Sequence, residues 1–436
     1  MRHEKSEAQQ DHYHCVGIGA GPANLSLASL LHPVPSLSNL FLDRKESFSW
    51  HDGQQIPGSS LQVSLFKDLV TLADPTNPFS FLAYLHDQGR IHHFINASFA
   101  SVAREEFRDY LDWACRHNEN VVFGENVREI DFDGVFRIRT DRRTVTGDNL
   151  VVGVGNRPWV PEYAVPHLGA TNFHVSEFLQ HTPGTGGKRV VVVGGGQSGA
   201  EAFEYLVARQ GADQPRRVSW ISRRRNFFPI DDSPFTNDFF MPCHSEYFYA
   251  LPPRAREAFN RRYVLSSDGI SESTLRSVYQ SLYTRRFVDG LDDLVGLYPN
   301  RETTGLSPGV DGSWVVTTRH CDRPAAQERF EADVVVWATG FAPAPLDFLG
   351  PLADRLEWEG NEPRVDADFA ARWDGPPGHD IFFQNAVRGQ RGLADVNLSL
   401  NAWRSRRIVD RLRGRRGDEQ LPSFIEWSAK ASAPNP

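Results

Sequence analysis

The sequence predicts an α/β protein in which two parallel-sheet units accompany a small, mostly helical segment, and three observations carry that reading. First, two glycine-rich turns lie far apart, each after a short apolar run: Val16-Gly17-Ile18-Gly19-Ala20-Gly21-Pro22-Ala23-Asn24 and Val190-Val191-Val192-Val193-Gly194-Gly195-Gly196-Gln197-Ser198-Gly199. Second, strand–helix alternation lapses between 231 and 290, where helical periodicity takes over. Third, an apolar run at 333–337 ends in Ala338-Thr339-Gly340-Phe341 and returns the chain to a sheet. Glycines after a buried strand let the backbone approach a pyrophosphate held at a helix N-terminus. Two such turns leave room for two dinucleotides, in two Rossmann-like units.

In the first unit, residues 13–18 read as a strand, 24–31 as a helix, and 37–42 as a second strand ending at Asp43. That is the spacing at which an acid accepts a bond from a ribose hydroxyl. Gly17, Gly19 and Gly21 form the turn and Asn24 opens the helix. Pro22 holds the third glycine position of the GxGxxG spacing, so strand and helix must approach differently there. Residues 44–125 carry an irregular pattern of Pro, His and aromatic residues, until 104–115 turns helical with Phe107, Tyr110, Leu111 and Ala114 on one face. Strands follow at 121–123, 136–140 and 149–154.

The second unit opens near Lys188. Its strand 190–193 is continuously apolar, as a parallel strand covered on both faces should be. Helix 198–209 and strand 218–222 follow, and the strand ends in Ser222-Arg223-Arg224-Arg225. An acid at that point favours the free hydroxyl of NAD, whereas cations favour the 2′-phosphate of NADP. The acidic first unit therefore suggests FAD and the basic second one NADPH. Helices at 253–263 and 271–287 form the insert, and strand 380–384 with helix 397–412 closes the chain. The expected domains are 1–187 with 341–436 for FAD, 188–230 with 291–340 for NADPH, and 231–290 as a helical substrate-binding insert.

Composition narrows the class. The chain has 436 residues, more than one compact core usually holds, and a formal net charge of −8, which argues against nucleic-acid partners. Cys15, Cys115, Cys243 and Cys321 form no CxxC pair, so a metal site, a disulfide framework and dithiol redox chemistry all lose support. The polar start, without an apolar signal core, and the absence of any bilayer-length apolar run fit a cytoplasmic protein with no membrane association.

An ordered set of motifs extends these observations: Gly19-Ala20-Gly21-Pro22-Ala23-Asn24-Leu25, Phe48-Ser49-Trp50-His51, Leu61-Gln62-Val63-Ser64-Leu65-Phe66-Lys67-Asp68, Asp74-Pro75-Thr76-Asn77-Pro78, Arg104-Glu105-Glu106-Phe107, Gly194-Gly195-Gly196-Gln197-Ser198-Gly199, Ala338-Thr339-Gly340-Phe341 and Asn397-Leu398-Ser399-Leu400. From about residue 13 to about 412 the chain resembles the flavin-dependent N-hydroxylating monooxygenases of siderophore biosynthesis, the lysine N6-/ornithine N5-hydroxylase family that also includes diamine hydroxylases. The resemblance implies that NADPH reduces FAD, that O₂ forms a C4a-hydroperoxyflavin, and that a neutral primary amine takes the distal oxygen. The protein then needs no strong base: it excludes water, aligns the amine and keeps it uncharged.

The same resemblance assigns residues. Trp50, His51, Gln62 and Arg104 are expected along the flavin. Gly194, Gly196, Gln197, Ser198, Gly199, Arg223 and Arg224 are expected at NADPH, and Thr339 with Gly340 at the interface between the cofactors. Lys67, Asn237, Ser267 and Ser399 are the expected substrate contacts, and His174 a structural link between domains. Ser267-Asp268-Gly269 stands where ornithine enzymes carry an asparagine, which favours lysine or a short diamine (cadaverine or putrescine). Ornithine N5-hydroxylation, or an uncoupled flavin reductase or NADPH oxidase, is the alternative. The family resemblance further implies a homotetramer.

Overall fold

A computed structural model describes residues 12–99, 101–415 and 423–428. The first sheet is built on β1 (His12–Ile18), β2 (Asn39–Leu42) and β3 (Val121–Val122), followed by a meander of β4 (Val127–Phe132), β5 (Phe136–Thr140) and β6 (Thr144–Val152). Its order is β3-β2-β1-β6-β5-β4, and the late strand Ile381–Phe383 joins in parallel beside β6. β6 is long enough to serve two neighbours on one side. Its start pairs antiparallel with β5, and its end, from Leu150, pairs with the late strand. The sequence pattern located the end of β6 and missed both its start and β4, whose alternation Val-Arg-Glu-Ile-Asp-Phe buries only Val127 and Ile130.

Behind β1, helix Pro22–Leu31 begins with proline in its first turn, where no backbone donor is lost. It is buried along almost its whole length, because the closing helix Asn401–Leu412 packs against it from the far side of the sequence. Helix Arg104–Arg116 buries the anticipated face of Phe107, Tyr110, Leu111 and Ala114.

The chain leaves the first sheet through β7 (Asn156–Pro158) and enters the second through β8 (Asn172–His174), which lies ahead of the expected boundary at 188. β9 (Arg189–Val193), β10 (Arg217–Ile221) and β11 (Val295–Tyr298) follow. After an antiparallel three-stranded sheet, β12 (Arg301–Pro308), β13 (Trp314–His320) and β14 (Arg323–Ala332), the chain adds β15 (Val334–Trp337). The all-parallel order is β11-β10-β9-β15-β8. Side chains on β9 alternate between two cores, Val190 and Val192 with Phe203 and Trp220, Val191 and Val193 with Trp337 and Val316. Both faces are covered, which is why the run is uniformly valine. β16 (Phe341–Pro343) returns antiparallel to β7, so two short strands carry the chain out of the first unit and back. Strands β12 to β14 escaped the sequence reading because their Thr, Arg and Glu residues face solvent and break the apolar signal.

The insert contains helices Pro242–Ala250, Pro253–Arg262 and Glu272–Tyr283. Ser271 caps the last of these: its side chain accepts from the Thr274 N–H. No helix among the described residues is long and apolar enough to cross a membrane.

His174 pins the crossing between the sheets. Its Nε2 lies 3.0 Å from the Gly340 carbonyl and its Nδ1 accepts from the Ser176 N–H at 3.1 Å, an arrangement that requires the neutral Nε2–H tautomer. Burial lowers its pKa to about 4, against a smaller opposing effect of the Gly340 bond. The unfolded chain, titrating near 6.5, therefore binds the proton first, and stability is lost as pH falls from about 6.5 towards 4. Thermal unfolding followed by circular dichroism should show this acid loss, at about 1.4 kcal/mol per pH unit per group. His174→Gln, which keeps a donor for Gly340 and cannot protonate, should flatten the profile; an unchanged slope contradicts the assignment.

Candidate active site

The first glycine turn is shaped to receive an anion. A Cβ on Gly21 would meet nothing within 4 Å, so the ground above this residue is open. Gly21 caps helix Pro22–Leu31 without any side-chain bond, leaving the helix N-terminus to whatever binds there. Gly19 is different: its φ is +89°, and a Cβ would lie 2.6 Å from the Gly153 carbonyl oxygen. One glycine shapes the turn and the other leaves space for a pyrophosphate, so the residues present fit a dinucleotide.

Two residues expected at this cofactor serve the turn from behind. Asn24 is fully buried; its Nδ2 donates to the Ile18 and Gly19 carbonyls at 3.1 and 2.7 Å, and its Oδ1 accepts from Gln384 at 2.8 Å. With both ends of the amide used, it braces the turn rather than reaching a ligand. Gln384 is held in turn by Arg404, a fully buried arginine paired with Asp395 at 3.0 Å. Asp43 accepts from the Ala20 N–H at 2.8 Å and the Lys45 N–H at 2.9 Å, so both carboxylate oxygens clamp backbone at the strand end.

The second turn and its helix meet the first unit across a polar seam. Gln197 Oε1 accepts from Gln62 Nε2 at 3.1 Å and from the Ser271 N–H at 2.8 Å, while its Nε2 donates to Glu201 and Thr274. Gln54 reaches Ser198 at 3.2 Å. Arg104, expected at the flavin, instead grips Glu201 through two parallel bonds of 2.7 and 3.0 Å and also donates to the Gln54 carbonyl. It joins the two units. Glu201 and Gln54 were missed in the sequence; only the i,i+4 spacing of Gln197 and Glu201 on one helix hinted at the former.

The arginine run at the end of β10 divides its labour. Arg223 is exposed, and its guanidinium has no partner among the described residues. Arg224 turns inward, and its Nη1 donates to the Gly195 and Asp268 carbonyls at 2.9 and 2.8 Å. Arg225 pairs with Asp322. At the crossing, the Thr339 hydroxyl donates to the Trp159 carbonyl, and Gly340, at φ +88°, presents its own carbonyl to His174.

Trp50 and His51 stand edge to face, ring centroids 4.9 Å apart, and His51 approaches Phe341 at 5.9 Å. His51 is open to solvent yet crowded by the protein around it. Its pKa falls to about 4 through desolvation first and the nearby Arg104 charge second, so it is neutral at physiological pH. Lys67 is half-buried, with its Nζ 5.9 Å from the centroid of the Phe240 ring, and no carboxylate among the described residues pairs with it. Desolvation lowers its pKa from the usual lysine value. Asn237, three residues before Phe240, is exposed and donates to the Asp232 carbonyl at 2.8 Å. Ser267 donates to Asp268 at 2.6 Å and accepts from Arg388 at 3.2 Å. Ser399 is 3 % exposed, and its N–H and hydroxyl both donate to Asn397 Oδ1, the side chain that caps the short helix Leu398–Leu400.

Residues 11–343 match the family model for L-lysine 6-monooxygenase/L-ornithine 5-monooxygenase. The chain belongs to that family. It is a flavin-dependent N-hydroxylating monooxygenase that uses FAD, NADPH and O₂ to hydroxylate a primary amine. It is 36% identical to L-lysine N6-monooxygenase of Escherichia coli over 94% of this chain and 97% of that protein. It is 34% identical to the rhizobactin siderophore biosynthesis protein RhbE of Rhizobium meliloti over 92% of this chain and 91% of that one. Among solved structures, the FAD-bound cadaverine monooxygenase DfoA of Erwinia amylovora superposes with a TM-score of 0.89 at 27% identity, covering 97% and 99% of the two chains. The ornithine N-hydroxylase KtzI of Kutzneria sp. 744 superposes with a TM-score of 0.84 at 30% identity, over 92% and 99%.

The contrast between Gly21 and Gly19 is testable. Gly21→Ala should leave the melting temperature of the FAD-free protein unchanged and weaken FAD by roughly tenfold, about 1.4 kcal/mol. Gly19→Ala should lower the melting temperature itself. Equal effects of both changes in fluorescence titration and calorimetry would contradict the division.

Proposed function

We propose that this enzyme hydroxylates the N6 amine of L-lysine, giving a hydroxylamine for hydroxamate siderophore assembly. FAD, reduced by NADPH when bound, would activate O₂, of which one atom goes to the amine and the other leaves as water. The chain's own residues grip the far end of the amino acid, hold the reacting amine and exclude water.

One observation carries the choice of an amino acid over a diamine: Lys67, a half-buried cation beside Phe240 with no carboxylate of its own among the described residues. An α-carboxylate supplies the missing charge, and Asn237, on the same stretch of the insert as Phe240, offers an amide nearby. A diamine would bring a second ammonium instead. At ~5 Å and an effective dielectric of ~20, that repulsion costs about 3 kcal/mol. The identity to the E. coli enzyme, named for lysine, supports the same reading, while the relatives named for putrescine are 28% and 29% identical. A cytoplasmic homotetramer is part of the proposal, on the family resemblance.

Mass spectrometry of products formed from lysine, ornithine, cadaverine and putrescine tests the substrate directly. Lysine should give the largest kcat/KM; preference for cadaverine or ornithine overturns the choice. Lys67→Met should raise KM for lysine ~10- to 100-fold, the loss of one charge-assisted hydrogen bond. It should leave flavin reduction by NADPH within about twofold and narrow the gap between lysine and cadaverine. An unchanged KM would remove Lys67 from the site.

A further inference from the structure

Segment 265–271, which opens with the helical turn Leu265–Asp268 and loops on to Ser271, carries Ser267 and lies directly over the second glycine turn. A Cβ on Gly196 would be 3.6 Å from the Asp268 carbonyl oxygen. The loop is tied on every side. Ile270 exchanges backbone bonds with Phe228 and Ile230, and the Ser271 N–H donates to Gln197. Arg388, from the C-terminal part of the chain, donates to Ser267 and stands 3.8 Å from the Asp268 carboxylate. The remaining tie is Arg224. A single nitrogen, Nη1, donates to Gly195 O at 2.9 Å and Asp268 O at 2.8 Å, so one cation bridges the turn and the loop.

That bridge responds to what the turn holds. The Gly195 carbonyl and the Gly196 N–H belong to one peptide unit, and among the described residues the Gly196 N–H has no partner. An anion accepting from that N–H polarises the peptide and strengthens the Gly195 carbonyl as an acceptor. The same guanidinium is then held more firmly against Asp268, and the loop carrying Ser267 is ordered with it. We infer that Arg224 is a positioning residue that couples dinucleotide occupancy of the second turn to amine binding, through its shared bond to the Gly195 and Asp268 carbonyls. The neighbouring Arg223, exposed and without a side-chain partner among the described residues, is left to meet the 2′-phosphate. This inference rests on the reading that Ser267 borders the amine site; it does not depend on which amine is bound.

The test is a thermodynamic cycle on the FAD-loaded enzyme. Calorimetry measures the dissociation constant of lysine with and without saturating NADP⁺; if lysine does not bind, cadaverine and ornithine take its place, so a wrong substrate and a wrong coupling remain distinguishable. In the natural protein NADP⁺ should tighten amine binding at least ~5-fold. In Arg224→Ala the ratio should fall towards one while the NADPH-to-NADH affinity ratio stays within about twofold. Arg223→Ala should do the reverse. Arg224→Lys, which can satisfy one carbonyl, should give an intermediate ratio and serves if the alanine variant does not fold. An uncoupled natural enzyme, or an Arg224 variant that loses coenzyme selectivity and keeps its coupling, would overturn the inference.

Discussion

The bidentate pair between Arg104 and Glu201 is the interaction on which the site depends. Each of the two sheets folds around its own core, but the two crossing strands β7 and β16 alone are a narrow connection. Arg104 begins a helix of the first unit and Glu201 lies one turn into the helix that follows the second glycine turn. Their side chains are 14% and 7% exposed, so removing either would leave a largely desolvated charge, a loss of about 3–5 kcal/mol. Gln62, Gln197, Gln54 and Ser198 extend the same seam with neutral bonds. The pair thereby ties the helix after the second glycine turn to the first unit, beside the close packing of Gly53 on Ser176 and of Ile56 in the second unit's core.

Much of this architecture was legible in the sequence because it rests on local chemistry. Glycines after apolar runs announce the two turns, and a valine run covered on both faces announces a parallel strand. The antiparallel strands β12 to β14 were not legible, since few of their residues are buried and the clean alternation of a half-buried strand is missing. The site residues separate in the same way. Lys67 could be singled out from its place in the motif, and no carboxylate among the described residues pairs with it. Asn24, Arg104 and Ser399 stand in family motifs as well, and their side chains bond to the protein's own groups. A motif records that a residue type is required at a position; it does not distinguish gripping a ligand from bracing the backbone that grips it.

The electrostatic setting follows from those braces. His51 is kept neutral by crowding and by the Arg104 charge, so the same arginine that joins the units also keeps a second cation from forming beside it. Lys67 keeps its charge but pays desolvation, which favours an anionic group at the far end of a substrate. An amine reacts with an electrophilic oxygen only through its lone pair, and a site that binds the distant carboxylate firmly can hold the reacting end as the free base.

Stopped-flow reduction of the FAD-loaded enzyme by NADPH tests the central claim most directly, with Glu201→Gln compared with the natural protein. If the Arg104–Glu201 pair aligns the two units, the variant should retain FAD and bind NADPH with little change while hydride transfer slows by tenfold or more, about 1.4 kcal/mol. Flavin reduction at the natural rate in a folded, FAD-bound variant would show that the units are aligned by other means.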